Sequence, residues 1–215
     1  MNDLDRQSAY WDSVAENKNF THPIAMDLLG RLVPRDAPLL DYGCGYGRSC
    51  AELTAAGFTN LTGVDISSEM IRRGRRLYPN LKLQAIDGGR LPFPDETFCA
   101  CLLLAVLTCI PTDRGQIDLL AELHRVLAPG GILYVSDYPL QADQRNRARY
   151  DRFQEVFGTR GIFRLSDGGV VRHHHMTWIY ALLSKFAIIQ EKRIPVPTMN
   201  GNAADVFQVV AGKKP

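Results

Sequence analysis

Leu39-Leu40-Asp41-Tyr42-Gly43-Cys44-Gly45-Tyr46-Gly47-Arg48 is a short apolar run that ends in an acid and opens into alternating glycines. It reads as a buried strand over 39–42, a glycine turn, and a helix over 48–56 stopped by Gly57. Such a turn can bring backbone N–H groups against a polar ligand, because glycine has no Cβ to hold the ligand away.

The same rhythm repeats downstream. A strand over 61–64 ends at Asp65, and Ser67 or Ser68 caps a helix reaching residue 78. A strand over 81–86 ends at Asp87, and residues 98–105 form a strand apolar enough to be buried on both faces. A helix over 113–127 carries Ile117, Leu120, Leu123 and Leu127 on one face, Pro129-Gly130-Gly131 ends it, and a strand over 132–136 closes at Asp137. Two helices precede the first strand, over 4–16 and 22–33. After Pro139 the alternation breaks into a polar helix over 141–157, a hairpin over 162–172 turning at Ser166-Asp167-Gly168-Gly169, a helix over 178–186, and strands over 187–194 and 206–211 flanking Asn200-Gly201-Asn202. The last two strands are joined too tightly for a helical crossover and are expected to run antiparallel. The fold expected is α/β: a doubly wound seven-stranded sheet with an antiparallel last strand, N-terminal helices, and a helix and hairpin inserted after strand five. We expect one domain over 1–215, with an N-terminal lid (1–36), a core (37–139), an insertion (140–175), and a final helix with two strands (176–215).

Composition narrows the class. The 215 residues are 46% hydrophobic and 22% charged with net charge +2, a globular balance too near neutrality to argue for a nucleic-acid partner. The first residues lack a basic-then-apolar signal pattern, and the longest apolar run, 98–110, is shorter than the ~20 residues a spanning helix needs. Five cysteines without a Cys-x-x-Cys pair suit reduced, buried thiols. The expectation is a cytoplasmic protein with no membrane partner, a monomer or homodimer.

Asp41, Asp65 and Asp87 fall at three consecutive strand ends, where open α/β sheets bind ligands, so all three are expected to face one crevice. Asp65, about twenty residues past the glycines, is placed to accept hydrogen bonds from a ribose diol. A nicotinamide-binding protein would use the same logic. Its fingerprint, however, wants Gly-x-Gly-x-x-Gly, and position 48 here is arginine.

These residues resemble a known family, the class I S-adenosylmethionine-dependent methyltransferases of the small-molecule, methyltransferase-11-like branch. Residues 40–47 look like its first motif and Gly63-Val64-Asp65-Ile66-Ser67 like its second. Asp87-Gly88-Gly89-Arg90-Leu91-Pro92-Phe93 is similar to its adenine motif, and 123–131 to its late helix-turn signature. The resemblance implies a Rossmann-like fold, with S-adenosylmethionine as cofactor and S-adenosylhomocysteine as product. It implies backbone at Gly43, Cys44 and Gly45 along the methionine part, flanked by Asp41 and Arg48, and Asp65 with Ile66 at the ribose. Asp87 and the Gly88 N–H would read the adenine edge, with Leu104 beneath the sulfonium. The motif with which related enzymes methylate nucleic-acid or protein amino groups is absent at Leu104-Ala105-Val106-Leu107.

The activity expected is methyl transfer to a small-molecule acceptor at oxygen or nitrogen. The alternatives are an RNA methyltransferase using Arg72 to Arg76 and Arg145 to Arg152, and a non-catalytic protein that binds the cofactor. No catalytic residue stands out, since an activated methyl needs mainly alignment; Tyr10, His174 and His175 are the candidates. Tyr10 and Trp11 are expected to close over the cofactor or pin their helix to the core. Tyr138, His22 and His174 are candidates for substrate contact. His173-His174-His175 lacks the i, i+4 spacing of a helical zinc pair, so no metal site is expected. Arg145, Arg147, Arg149 and Arg152 read as a solvated face, with binding of an acidic substrate as the alternative.

Overall fold

A computed structural model describes residues 4–199 and 201–214, so Met1 to Asp3, Asn200 and Pro215 lie outside the described residues. Five strands run parallel: β1 (Leu39–Tyr42), β2 (Leu61–Asp65), β3 (Lys82–Ala85), β4 (Phe98–Leu104) and β5 (Leu127–Asp137). A short hairpin, β6 (Ile162–Arg164) and β7 (Val170–Arg172), stands apart from the sheet. The chain then returns through β8 (Phe186–Pro197) and β9 (Ala203–Lys213), and β9 is antiparallel to both β5 and β8. The strand order is β3-β2-β1-β4-β5-β9-β8. This is the doubly wound seven-stranded sheet with an antiparallel last strand that the sequence predicts, and its order reverses between β1 and β4, which opens a crevice at their carboxyl ends.

The helices are α1 (Ser8–Val14), α2 (Met26–Leu32), α3 (Arg48–Ala55), α4 (Ser68–Leu77), α5 (Asp113–Val126), α6 (Gln144–Phe157) and α7 (Met176–Leu182). Side chains alternate along β1, so Leu39 and Leu40 enter different cores. Leu39 packs with Leu28, Leu29 and Leu53 from α2 and α3, while Leu40 and Tyr42 pack with Leu119, Leu123 and Ile179 from α5 and α7. Among the described residues no helix is long and apolar enough to cross a membrane.

Several boundaries differ from expectation. Helix α2 starts at Met26 rather than His22, because residues 15–25 run as a non-helical segment across the glycine turn. Pro129-Gly130-Gly131 does not end α5; the helix stops at Val126, and these residues belong to β5, where a register shift between Phe98 and Ala100 accommodates them. Strand β3 ends at Ala85, which leaves Asp87 two residues beyond the sheet. Strand β8 extends to Pro197, and two prolines are tolerated because β8 is an edge strand.

Candidate functional site

A cleft opens where the sheet order reverses, over Gly43, Cys44, Asp65, Leu104 and Ala105. Gly43, Gly45 and Gly47 take φ of +72°, +56° and +81°. At Gly45 an added Cβ would also lie 2.2 Å from the Phe20 ring, so only glycine fits. The N–H groups of this turn are engaged inside the protein. Gly43 and Cys44 donate to the Val64 carbonyl at 2.8 and 3.0 Å, Gly45 to Asp65 Oδ2 at 2.8 Å, and Gly47 to the Cys44 carbonyl at 2.9 Å. The expected row of free N–H donors is therefore absent from Gly43 to Gly45, because the loop has closed onto β2.

The three strand-end acids do not share the crevice. Asp41 is fully buried behind the cleft wall, where the cleft residue Ser49 donates its hydroxyl to Oδ2 and Cys50 Sγ lies 3.3 Å away. It orients α3 instead of lining the cleft, and burial pushes its carboxyl up to about 6. Asp65 does line the cleft. Its carboxylate accepts from the Gly45 and Ser67 N–H groups, each at 2.8 Å, and burial raises it to about 6 against the pull of those two bonds. Asp87 is exposed and outside the cleft, whereas Gly88 is buried beside Arg90 in an adjoining hollow that meets the cleft at Tyr42. Ile66 and Arg48 are cleft residues. Arg48 bonds Glu52 at 2.7 Å and the His22 carbonyl at 2.6 Å, which ties α3 to the N-terminal segment.

That segment roofs the glycine turn. Phe20 stacks on Tyr46 with centroids 5.4 Å apart and planes at 12°, and the edge of Trp11 meets Phe20 at 6.2 Å. Asp12 of α1 accepts from Ser67 Oγ at 2.7 Å and from the Glu69 N–H at 3.1 Å, docking α1 on the start of α4. Two arginines of α4 hold the segment from beneath. Arg73 lies 4.0 Å over the Tyr46 ring and donates to the Ala15 and Lys18 carbonyls at 2.8 and 2.7 Å, and Arg76 pairs with Glu16 at 2.6 Å. Arg72 pairs with Glu69, and Arg75 donates to the Leu83 carbonyl at 2.8 Å. These four arginines have intramolecular partners rather than forming a free basic patch.

Tyr10 is not in the cleft. Its hydroxyl donates to Asp167 Oδ1 at 3.0 Å, and Lys18 Nζ meets the other oxygen at 2.6 Å, joining the N-terminal segment to the hairpin turn. Gln7 adds a two-way clasp, donating to the Val170 carbonyl at 2.7 Å and accepting its N–H at 2.8 Å. The two lid elements thus meet over the cleft.

The histidine run points three ways. His174, a candidate catalytic and substrate residue, is completely buried behind the cleft; its ring nitrogens have no hydrogen bond, Nε2 is 3.8 Å from Asp137 Oδ1, and burial keeps it neutral. His175, the other catalytic candidate, is exposed and caps α7, accepting the Thr177 N–H. The cleft residue is His173, which the sequence reading did not single out. Its ring stacks on Tyr138 at 5.3 Å, and its Nδ1 meets Tyr150 Oη at 2.5 Å. Tyr138 in turn meets the edge of His22 at 5.4 Å, and both line the cleft. His22 Nε2 bonds Ser136 Oγ at 2.7 Å, its Nδ1 is buried without a partner, and burial lowers it to about 4. Phe20, Thr21, Phe163, Arg145 and Arg149 also line the cleft. For Arg145 and Arg149, the i, i+4 spacing on α6 was the available signal.

With this geometry in view, residues 40–135 match the family model described as a methyltransferase domain. In that core the chain resembles the class I S-adenosylmethionine-dependent methyltransferases. Methyltransferase-like protein 27 of Homo sapiens is 34% identical to this chain over 144 residues, 62% of this chain and 56% of its own length. The demethylmenaquinone methyltransferase of Beutenbergia cavernae is 31% identical over 160 residues, 69% of this chain and 65% of its own. The chain therefore spans a little over half to just under two thirds of the length of these curated relatives. A solved SAM-dependent methyltransferase from Methanosarcina mazei superposes with a TM-score of 0.82 at 25% identity, over 87% of this chain and 97% of that one.

Proposed function

We propose that this chain transfers the methyl group of S-adenosylmethionine to a small organic acceptor, at oxygen or nitrogen, by in-line displacement. The observation that carries the reading is the closed hydrogen bonding of the glycine turn. With the Gly43, Cys44 and Gly45 N–H groups engaged on Val64 and Asp65, the turn is a poor cradle for a pyrophosphate. A turn of this kind suits the ammonium end of the cofactor's methionine part, and Asp65 in the cleft suits its ribose hydroxyls. Gly88, at the adjoining hollow, and the exposed Asp87 that precedes it would receive the adenine edge. Trp11 and Ile66 would wall the cofactor, and Leu104 would lie beneath the sulfonium. The bound cofactor supplies a methyl already activated by positive sulfur. The chain's part is to exclude water under the joined lid and to hold the acceptor in line. Tyr138, whose hydroxyl has no hydrogen-bond partner among the described residues, and His22 would contact the acceptor.

A small-molecule acceptor is favoured over RNA because Arg72, Arg73, Arg75 and Arg76 are engaged within the fold. The B. cavernae relative is likewise named for a small-molecule acceptor. Titration calorimetry tests the reading. S-adenosylmethionine and S-adenosylhomocysteine are expected to bind and nicotinamide nucleotides not to; the reverse would overturn it. Cofactor binding without turnover of any acceptor, together with recovery of a stable protein complex, would instead favour a non-catalytic role.

A further inference from the structure

Resting on that reading, we infer that the methyl acceptor is an aromatic acid, whose anionic group is received by Arg145 and Arg149 on the insertion helix α6. Arg145 and Arg149 stand one helical turn apart and both line the cleft. Neither makes an ion pair among the described residues. Arg149 lies with its guanidinium 3.7 Å over the Phe163 ring and gives one Nη to Asn146 Oδ1, while its Nε is buried without a partner. The nearby carboxylate, Asp143, is engaged in capping α6: it accepts the Asn146 N–H at 3.0 Å and the Asn146 side-chain amide. Arg145 is exposed and Arg149 half-buried at the cleft, and the carboxylate near both, Asp143, is engaged in capping, so a ligand anion would meet two guanidinium groups with no direct ion-pair partner.

His173 adds a third donor. Tyr150 Oη accepts the Gln141 N–H at 3.1 Å, so its own proton is free to go to His173 Nδ1 at 2.5 Å. In the tautomer where Tyr150 donates, the neutral His173 carries its proton at Nε2, which has no protein partner among the described residues. Arg145, Arg149 and His173 are then all donors, and the walls between them are the rings of Phe163 and Tyr138. A flat ring with a negative terminus matches that combination, and guanidinium planes are suited to carboxylate and phosphate oxygens.

The test uses the full chain saturated with S-adenosylhomocysteine, whose binding is measured first on the same preparation. Calorimetry then compares salicylate and phenyl phosphate with the neutral salicylamide. At least one anion is expected to bind roughly tenfold or more tightly than salicylamide, with that margin lost in Arg145→Gln and Arg149→Gln and regained in part in Arg149→Lys. Arg145 is exposed, so its variant should fold even if the Arg149 variants do not. S-adenosylhomocysteine affinity should be unchanged in Arg145→Gln. Salicylamide binding as tightly as the anions, no anion bound at millimolar concentration, or an unchanged margin in Arg145→Gln would overturn the inference. Loss of S-adenosylhomocysteine binding by the unmodified chain would instead count against the methyltransferase reading.

Discussion

Tyr10 and Asp167 are 157 positions apart in sequence, yet the Tyr10 hydroxyl donates to the Asp167 carboxylate at 3.0 Å. This contact and the neighbouring Lys18–Asp167 pair fasten the N-terminal segment to the hairpin turn, so the roof over the cleft is made from the segment before β1 and the insertion after β5.

Tyr10→Phe removes that latch and leaves the ring packing. The bond is largely exposed, so global stability should fall by less than about 1 kcal/mol. The local effect should be larger: amide exchange should quicken in residues 8–14 and 162–172 while β1, β4 and β5 stay protected. Unchanged exchange in both segments would mean that the latch does not hold the lid.

Asp65→Asn should weaken S-adenosylhomocysteine binding by about 10- to 100-fold in calorimetry, since a charge-assisted acceptor facing the cleft is lost. The same replacement at Asp41, whose carboxylate faces α3, should leave that affinity unchanged. Equal effects from both would argue that the acids act only through folding.

Asp41 also predicts a pH dependence. Its folded-state carboxyl sits at about 6, above the ordinary 3.8, because burial penalises the charge. The folded state therefore holds a proton that the unfolded chain has released, and Asp41's contribution to stability is full below about 4 and lost as pH rises through about 6. Asp41→Asn removes this dependence. The variant's stability should gain on the unmodified protein between pH 4 and pH 6, by about 3 kcal/mol at most. Denaturant unfolding of both proteins across that range reads the difference, and a gap independent of pH would contradict the raised value.

Gly45→Ala should be among the most damaging single changes in the turn. It places an L side chain at φ +56° and drives its Cβ into Phe20. A loss of about 2–4 kcal/mol is expected, together with loss of cofactor binding. Thermal unfolding and calorimetry check the two effects; a near-neutral change would mean that Phe20 does not rest on the turn.

Local chemistry made the sheet and the Asp65 side of the cleft legible. The apolar runs ending at Tyr42, Asp65 and Leu104 are strands because they are short, apolar and bounded by glycine, proline or a helix cap, and Ser67 caps α4 as its position suggested. Asp65 could be assigned to the cleft because it ends its strand. Asp41 misled because it lies one residue before the end of its strand, and in a strand one residue decides the face. Asp87 misled because β3 stops at Ala85, short of the acid.

The amino-acid sequence alone determined the doubly wound order of elements, the antiparallel ending and the glycine turn, since periodicity, caps and turn residues act over a few positions. Tertiary structure alone decided that the turn's N–H groups close onto β2, that His173 rather than His174 or His175 enters the cleft, and that Arg73 and Arg76 of α4 clamp the N-terminal segment while Arg145 and Arg149 line the cleft. Each of these depends on which distant backbone lies opposite a side chain. Spacing within one helix or strand says which residues share a face, and only packing says what that face meets.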